Sequence, residues 1–183
     1  MMRAAEVTKT IKVPQGVEVS VDGRVVTVKG SKGSLTRSFA DAPVNIQLKD
    51  NEISVETTWP RKKEASLVGT VHSHINNMIT GVMKGFTYKL KVVFAHFPVT
   101  VKVKDDNVII ENFTGERSPR NAKIKGGSKV TVKGEDIIVQ GLNLEEVSQT
   151  AANMERATKV RRKDPRIFLD GIYIYERVEG MEI

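Results

Sequence analysis

The chain has 183 residues, with 29 lysines and arginines against 22 acids, a formal net charge of +7 and an isoelectric point near 9.6. Apolar residues make up 39% and aromatics only 5%, so a core must be built mainly from Val, Ile and Leu, and collagen, a disulfide scaffold and wholesale disorder are excluded. Without cysteine there are no disulfides, thiolate metal sites or cysteine nucleophile; without an apolar run of about 20 residues or an apolar signal segment in Met1–Thr10, the expectation is a cytoplasmic protein with no membrane partner.

In chain order, Val17, Val19 and Val21 alternate with Glu18 and Ser20, the period of a half-buried strand. Asp22-Gly23 signals a tight hairpin into a second β-branched strand. Val44–Leu48, Asp50-Asn51 and Ile53–Val55 read as another hairpin. Leu67, Val71, Ile75, Met78 and Val82 then recur at helical steps and form one apolar stripe. The series restarts after Gly81–Gly85, with Phe86–Phe94 as a strand. VTVKVKDDNVIIENFTG at 99–115 repeats VEVSVDGRVVTVKGSKG at 17–33, an offset of roughly 82 residues. In this copy Asp105-Asp106-Asn107 reads as a longer version of the first turn. Val130–Val132, Gly134–Asp136 and Ile137–Val139 match the second hairpin. Asn143 and Glu146 have the spacing of a capping box, opening a helix whose buried face is Val147, Ala151, Met154 and Thr158. A last strand runs from Ile172 to Tyr175. This order predicts an α+β fold of two similar domains from internal duplication, residues 1–84 and 85–183, each an antiparallel sheet packed against one helix.

Enzyme constellations are missing. His72 and His74 are two apart on a predicted helix, so their side chains diverge by about 200° and cannot share a metal. His96 has no acidic neighbour in sequence. No nucleophile elbow, phosphate loop or dinucleotide fingerprint occurs. Gly30-Ser31-Lys32-Gly33 reads as a hairpin end whose amides could still meet a phosphate. The expectation is therefore no catalytic residue, no metal, no cofactor and no small-molecule substrate.

Charge is clustered rather than spread. Residues 117–133 hold Arg117, Arg120, Lys123, Lys125, Lys129 and Lys133 with no acid, and residues 156–166 hold Arg156, Lys159, Arg161, Arg162, Lys163 and Arg166 against Asp164 alone. Overall balance would mislead, because residues 1–90 hold 13 basic and 8 acidic side chains and residues 91–183 hold 16 and 14. Phe113–Asn121 is longer than a tight turn and mixes Arg with hydroxyls, amide and Gly, the side chains that donate to phosphate and ribose. Pro165 bars a continuing helix and forces a shaped loop. Gly171 admits another backbone or a ribose-phosphate chain. Phe168 is expected in the core, while Tyr173 is read as either core or stacking platform.

RRKDPRIFLDGIYIYE near the C-terminal end, after a duplicated strand-helix unit, resembles the large-subunit ribosomal protein L6 family in its archaeal and eukaryotic branch. The opening IKVPQGVEVSVDGRVVTVKGSKG is similar to the same family almost throughout. The bacterial branch has a Lys-Gly-Lys-Gly-type segment where this chain has Phe168-Leu169-Asp170-Gly171, so only Gly171, Ile172 and Tyr173 carry over from that version. The resemblance implies a structural constituent of the large ribosomal subunit, located on cytoplasmic ribosomes. Its second domain would bind folded rRNA near the sarcin-ricin and elongation-factor region, and its first would face outward or meet neighbouring ribosomal proteins. The RNA-binding residues expected on charge and resemblance together are Arg117, Ser118, Arg120, Asn121, Lys123, Lys159, Arg161, Arg162, Lys163, Arg166, Gly171 and Tyr173. The rival reading is a two-domain protein-binding adaptor, which would carry an exposed apolar patch on one sheet.

Overall fold

A computed structural model describes residues 6–49, 51–161, 163–164 and 166–181. The chain divides into two units, Met1–Lys84 and Gly85–Ile183.

The first unit contains β1 (Glu6–Lys12), β2 (Glu18–Asp22), β3 (Val25–Gly30), β4 (Gly33–Ser38), β5 (Asn45–Lys49), β6 (Glu52–Thr58) and helix α1 (Lys62–Met83). Its strands form two antiparallel sheets, ordered β1-β6-β5 and β2-β3-β4. Gly23 at φ 58° opens the two-residue loop between β2 and β3, where Asp22 pairs with Val25; the left-handed backbone there is what a tight hairpin needs. Residues alternate in and out of each sheet, so Val26, Val28, Ile53 and Val55 lose all contact with water. The apolar stripe of α1 closes over them through Val68, Val71, Ile75 and Val82. Each such aliphatic side chain contributes roughly 1.5–3 kcal/mol on burial. The 30–33 turn is tied to the helix end, because the Lys32 amide donates to the Val82 carbonyl at 3.1 Å. That amide is therefore unavailable to a phosphate. His72 and His74 have local structural contacts, with Thr10 and Arg37 respectively.

The second unit repeats this plan with β7 (Phe86–Val93), β8 (Thr100–Lys104), β9 (Asn107–Glu111), a 3-10 turn at Phe113–Gly115, β10 (Arg120–Lys123), β11 (Lys129–Lys133), β12 (Asp136–Gly141), α2 (Leu144–Ala157) and β13 (Gly171–Glu179). The sheets are ordered β10-β9-β8 and β11-β12-β7-β13. Every strand of the first unit has its counterpart in the same place, and β13 is an addition at the sheet edge. The α+β fold by duplication is thus as expected, with the antiparallel strands of each unit divided between two sheets. The β8–β9 turn is no longer than its counterpart: Lys104 pairs with Asn107, Asn107 belongs to the strand, and Asp105 at φ 51° takes the place of Gly23. The core gathers Leu90, Val108, Ile110, Ile137 and Val139 from the sheets and Val147, Ala151 and Met154 from α2.

At the start of α2, Asn143 caps the Glu145 amide at 3.0 Å. The expected reciprocal box is not made. Glu146 instead accepts from the Gly127 amide at 2.9 Å and from the Asn143 side chain at 3.2 Å, so it ties the β10–β11 loop to the helix.

Candidate nucleic-acid interface

The basic segment after α2 is held at both ends by buried polar side chains. Thr158, which follows the helix, donates its hydroxyl to the Met154 carbonyl at 3.2 Å and accepts the Ile172 amide at 2.9 Å. One side chain therefore both ends α2 and pins the beginning of β13. At the far end Asp170 is 1% exposed. Its carboxylate accepts from the Ala95 amide at 2.9 Å, the His96 amide at 3.3 Å and the His96 ring at 2.8 Å. Burial alone would raise its pKa, but the Ala95 amide, the His96 ring and amide, and the His96 charge outweigh burial and hold the carboxyl below the usual range.

Between these anchors Lys159, Arg161, Lys163, Arg166, Ile167 and Leu169 are exposed to solvent. The Arg166 guanidinium grips Asp164, with the closest contact at 2.8 Å, and the Arg166 amide adds a 2.9 Å bond. These bonds, the side-chain one first, lower the Asp164 pKa. The Asp164 carbonyl in turn accepts from the Ile167 and Phe168 amides. Phe168 does not enter the core: it is half-buried, stacks on His96 with ring centres 4.9 Å apart, and carries the Lys163 ammonium 4.2 Å from its own centre. The sequence favoured a core position, but the site is a surface stack resting on Asp170 through His96.

The 113–121 segment meets this strap. Phe113 is buried at the turn, and Asn112 and Thr114 take left-handed backbones beside it. Arg120 lies on β10 and turns inward. Its guanidinium bonds both Glu116 oxygens, donates to the Ala157 carbonyl at 2.7 Å, and sits 4.4 Å over the Phe113 ring. The Arg120 hydrogen bond, above all, lowers the Glu116 pKa despite some opposing desolvation. Arg120 is therefore a clamp joining the turn to the end of α2, and its donors already have acceptors within the chain. The expectation of a free phosphate donor at this position is corrected.

Together the two segments line a cleft of about 470 Å³. Phe113, Thr114, Glu116 and Arg120 form one wall; Arg156, Lys159, Val160, Arg161 and Lys163 form the other. Among the described residues, no acid pairs with Arg156, Lys159, Arg161 or Lys163. The cleft thus carries four uncompensated cations, and Arg156 was not among the expected site residues. Arg117 and Ser118 are exposed on the loop that leaves it.

Other expected site residues lie elsewhere. Asn121 and Lys123 alternate with Arg120 and Ala122 on β10, so they face the outside of the β8–β9–β10 sheet. Arg166 is exposed but matched by Asp164. Gly171 is buried, and the space where a side chain would stand is occupied by the Tyr173 ring, 2.9–3.0 Å from a Cβ. That space is closed to a ribose-phosphate backbone, contrary to expectation. Tyr173 itself is 43% exposed and so stands at the surface. Arg162 lies outside the described residues. Among the described residues no cluster of His, Asp and Glu fits a metal, and no helix is long and apolar enough to cross a membrane.

The family model for ribosomal protein L6 matches this chain twice, over residues 13–85 and 97–171, one match within each repeat. The chain is 50% identical over 177 residues to the large ribosomal subunit protein uL6 of Methanobrevibacter smithii, covering 97% of this chain and 99% of the relative. It is 52% identical over 184 residues to the uL6 protein of Desulfurococcus amylolyticus, covering 99% and 100%. For the uL6 protein of Aeropyrum pernix the identity is 51% over 178 residues, covering 97% and 98%. A twice-matched family model and near-complete coverage by relatives at half identity establish that this chain belongs to the ribosomal protein L6 family.

Proposed function

We propose that this chain is a structural, non-catalytic constituent of the large ribosomal subunit in the cytoplasm, and that its second unit, residues 85–183, docks on folded large-subunit rRNA near the sarcin-ricin and elongation-factor region. The observation that carries the reading is the cleft lined by Arg156, Lys159, Arg161 and Lys163, where, among the described residues, no acid pairs with these four and the one acid of the lining, Glu116, is held by Arg120. Folded RNA offers dense phosphates and a shallow minor groove lined by 2′-hydroxyls. Four cations each meeting one phosphate give a slope of log affinity against log salt of roughly −3 to −4. Arg117 and Ser118 add donors beside the cleft, and Arg120 acts indirectly by holding its two walls together. A cleft whose backbone is anchored at Thr158 and Asp170 reads the shape of an RNA fold, because that backbone is in place before binding. The first unit, residues 1–84, is assigned to outward contacts with neighbouring ribosomal proteins.

The test replaces Arg161, Arg162 and Lys163 together by Ala. Affinity for large-subunit rRNA should fall and the salt slope should shrink by roughly 1.4–1.8 for the two cleft cations, and by about 0.7–0.9 more where Arg162 also meets a phosphate, while thermal stability stays close to wild type. Unchanged affinity and slope would overturn the cleft assignment.

A further inference from the structure

Where the first unit passes from β6 into α1, the chain reads Trp59-Pro60-Arg61-Lys62-Lys63. Trp59 is 71% exposed, more than any other large apolar side chain among the described residues. Its backbone sits at φ 48°, a region that bulky residues seldom occupy. Pro60, which follows, is buried and has a ring-locked φ, so the backbone holds the indole out in water. Arg61, Lys62 and Lys63 are all exposed. The acid in the first helical turn, Glu64, is turned to the backbone and accepts the Arg61 amide at 2.7 Å. Among the described residues, no acid pairs with the Lys62 or Lys63 ammonium.

We propose that this knob is a second RNA contact, in which Trp59 stacks on an unpaired base and Arg61, Lys62 and Lys63 meet the flanking phosphates. A flat aromatic face beside three exposed cations matches the two things every unstacked nucleotide offers, a π-face and an adjoining phosphate. An acidic protein segment would satisfy the cations but leave the indole face without a planar partner. The proposal rests on the reading of the chain as an rRNA binder, yet it uses a surface of the first unit that the cleft does not involve.

Trp59 is the only tryptophan in the chain, so its fluorescence reports this contact alone. The full-length protein is titrated with a large-subunit rRNA transcript, and indole emission is read alongside total binding by filter retention. Emission should be quenched as rRNA binds, because the indole stacks on a base. Trp59→Ala should weaken binding about 5- to 150-fold and Trp59→Phe much less, since a ring remains. Binding of rRNA with unchanged emission overturns the knob and leaves the cleft reading standing. Failure of the wild-type protein to bind rRNA at all overturns both. Emission that responds to poly-glutamate but not to rRNA overturns the RNA contact in favour of an acidic protein partner.

Discussion

Replacing Arg120 by Ala separates two roles that its position permits. As a phosphate donor, Arg120 would contribute one contact, and its loss would reduce the salt slope of rRNA binding by about 0.7–0.9 with little change in stability. As a clamp, it would lose the paired bonds to Glu116, the bond to the Ala157 carbonyl and the stack on Phe113. Glu116 is partly in solvent, so that ion pair contributes only about 0.5–1 kcal/mol. The charged bond to Ala157 adds about 1–1.5 kcal/mol and the cation over the ring about 0.5–1 kcal/mol. A loss of about 2–3.5 kcal/mol lowers the melting temperature of a unit this size by about 10–17 °C. Differential scanning calorimetry on the full chain should therefore show the transition of the second unit moving down by about that much, with the salt slope unchanged. Arg120→Lys keeps the charge but not the planar fork, so it should recover less than half of the lost stability. A variant that melts as wild type does and loses one contact from the salt slope would refute the clamp.

Three further substitutions probe the anchors and the close packing. Asp170→Asn should flatten the acid limb of stability. The folded pKa of Asp170 lies below its unfolded value of about 3.9, so its contribution is complete above that pH and disappears as pH falls through the depressed value. Melting temperatures between about pH 2 and 5 should fall less steeply in the variant, which should also be about 1–2 kcal/mol less stable at neutral pH. Thr158→Val keeps the shape but leaves the Ile172 amide without its acceptor, which should cost about 1–3 kcal/mol in urea unfolding. Gly30→Ala would set a Cβ 2.8 Å from the Val82 carbonyl oxygen and side chain. Because backbone stands in the way, about 2 kcal/mol should be lost from the first unit, read as a shift of its own unfolding transition.

Local patterning made much of this fold legible. The alternation of Val17, Val19 and Val21, the helical recurrence of Val71, Ile75, Met78 and Val82, and the repeat of both patterns downstream led to two α+β units, because burial on one face writes its period into the sequence. β1, β4 and β10 were not legible. EVTKTIK, GSLTRS and RNAK carry few apolar residues, and partners elsewhere in the chain hold them as strands. The site was half legible for the same reason. The density of Lys159, Arg161 and Lys163 marked the strap directly. The role of Arg120 depends on a carbonyl 37 positions away, and the pairing of His96 with Asp170 spans 74. Neither is written in local spacing. Arg156 joins the cleft only because the last turn of α2 points it there, and Trp59 carried no motif that distinguished an exposed indole from a core one.

The most direct measurement is crosslinking within intact large subunits, with each attached nucleotide mapped to its residue. Linked residues should concentrate in 156–168 and 113–118, joined to nucleotides of the sarcin-ricin region and adjoining stems. Crosslinks confined to the outer sheet face around Asn121 and Lys123, with none in the strap, would contradict the cleft as the place where this chain meets rRNA.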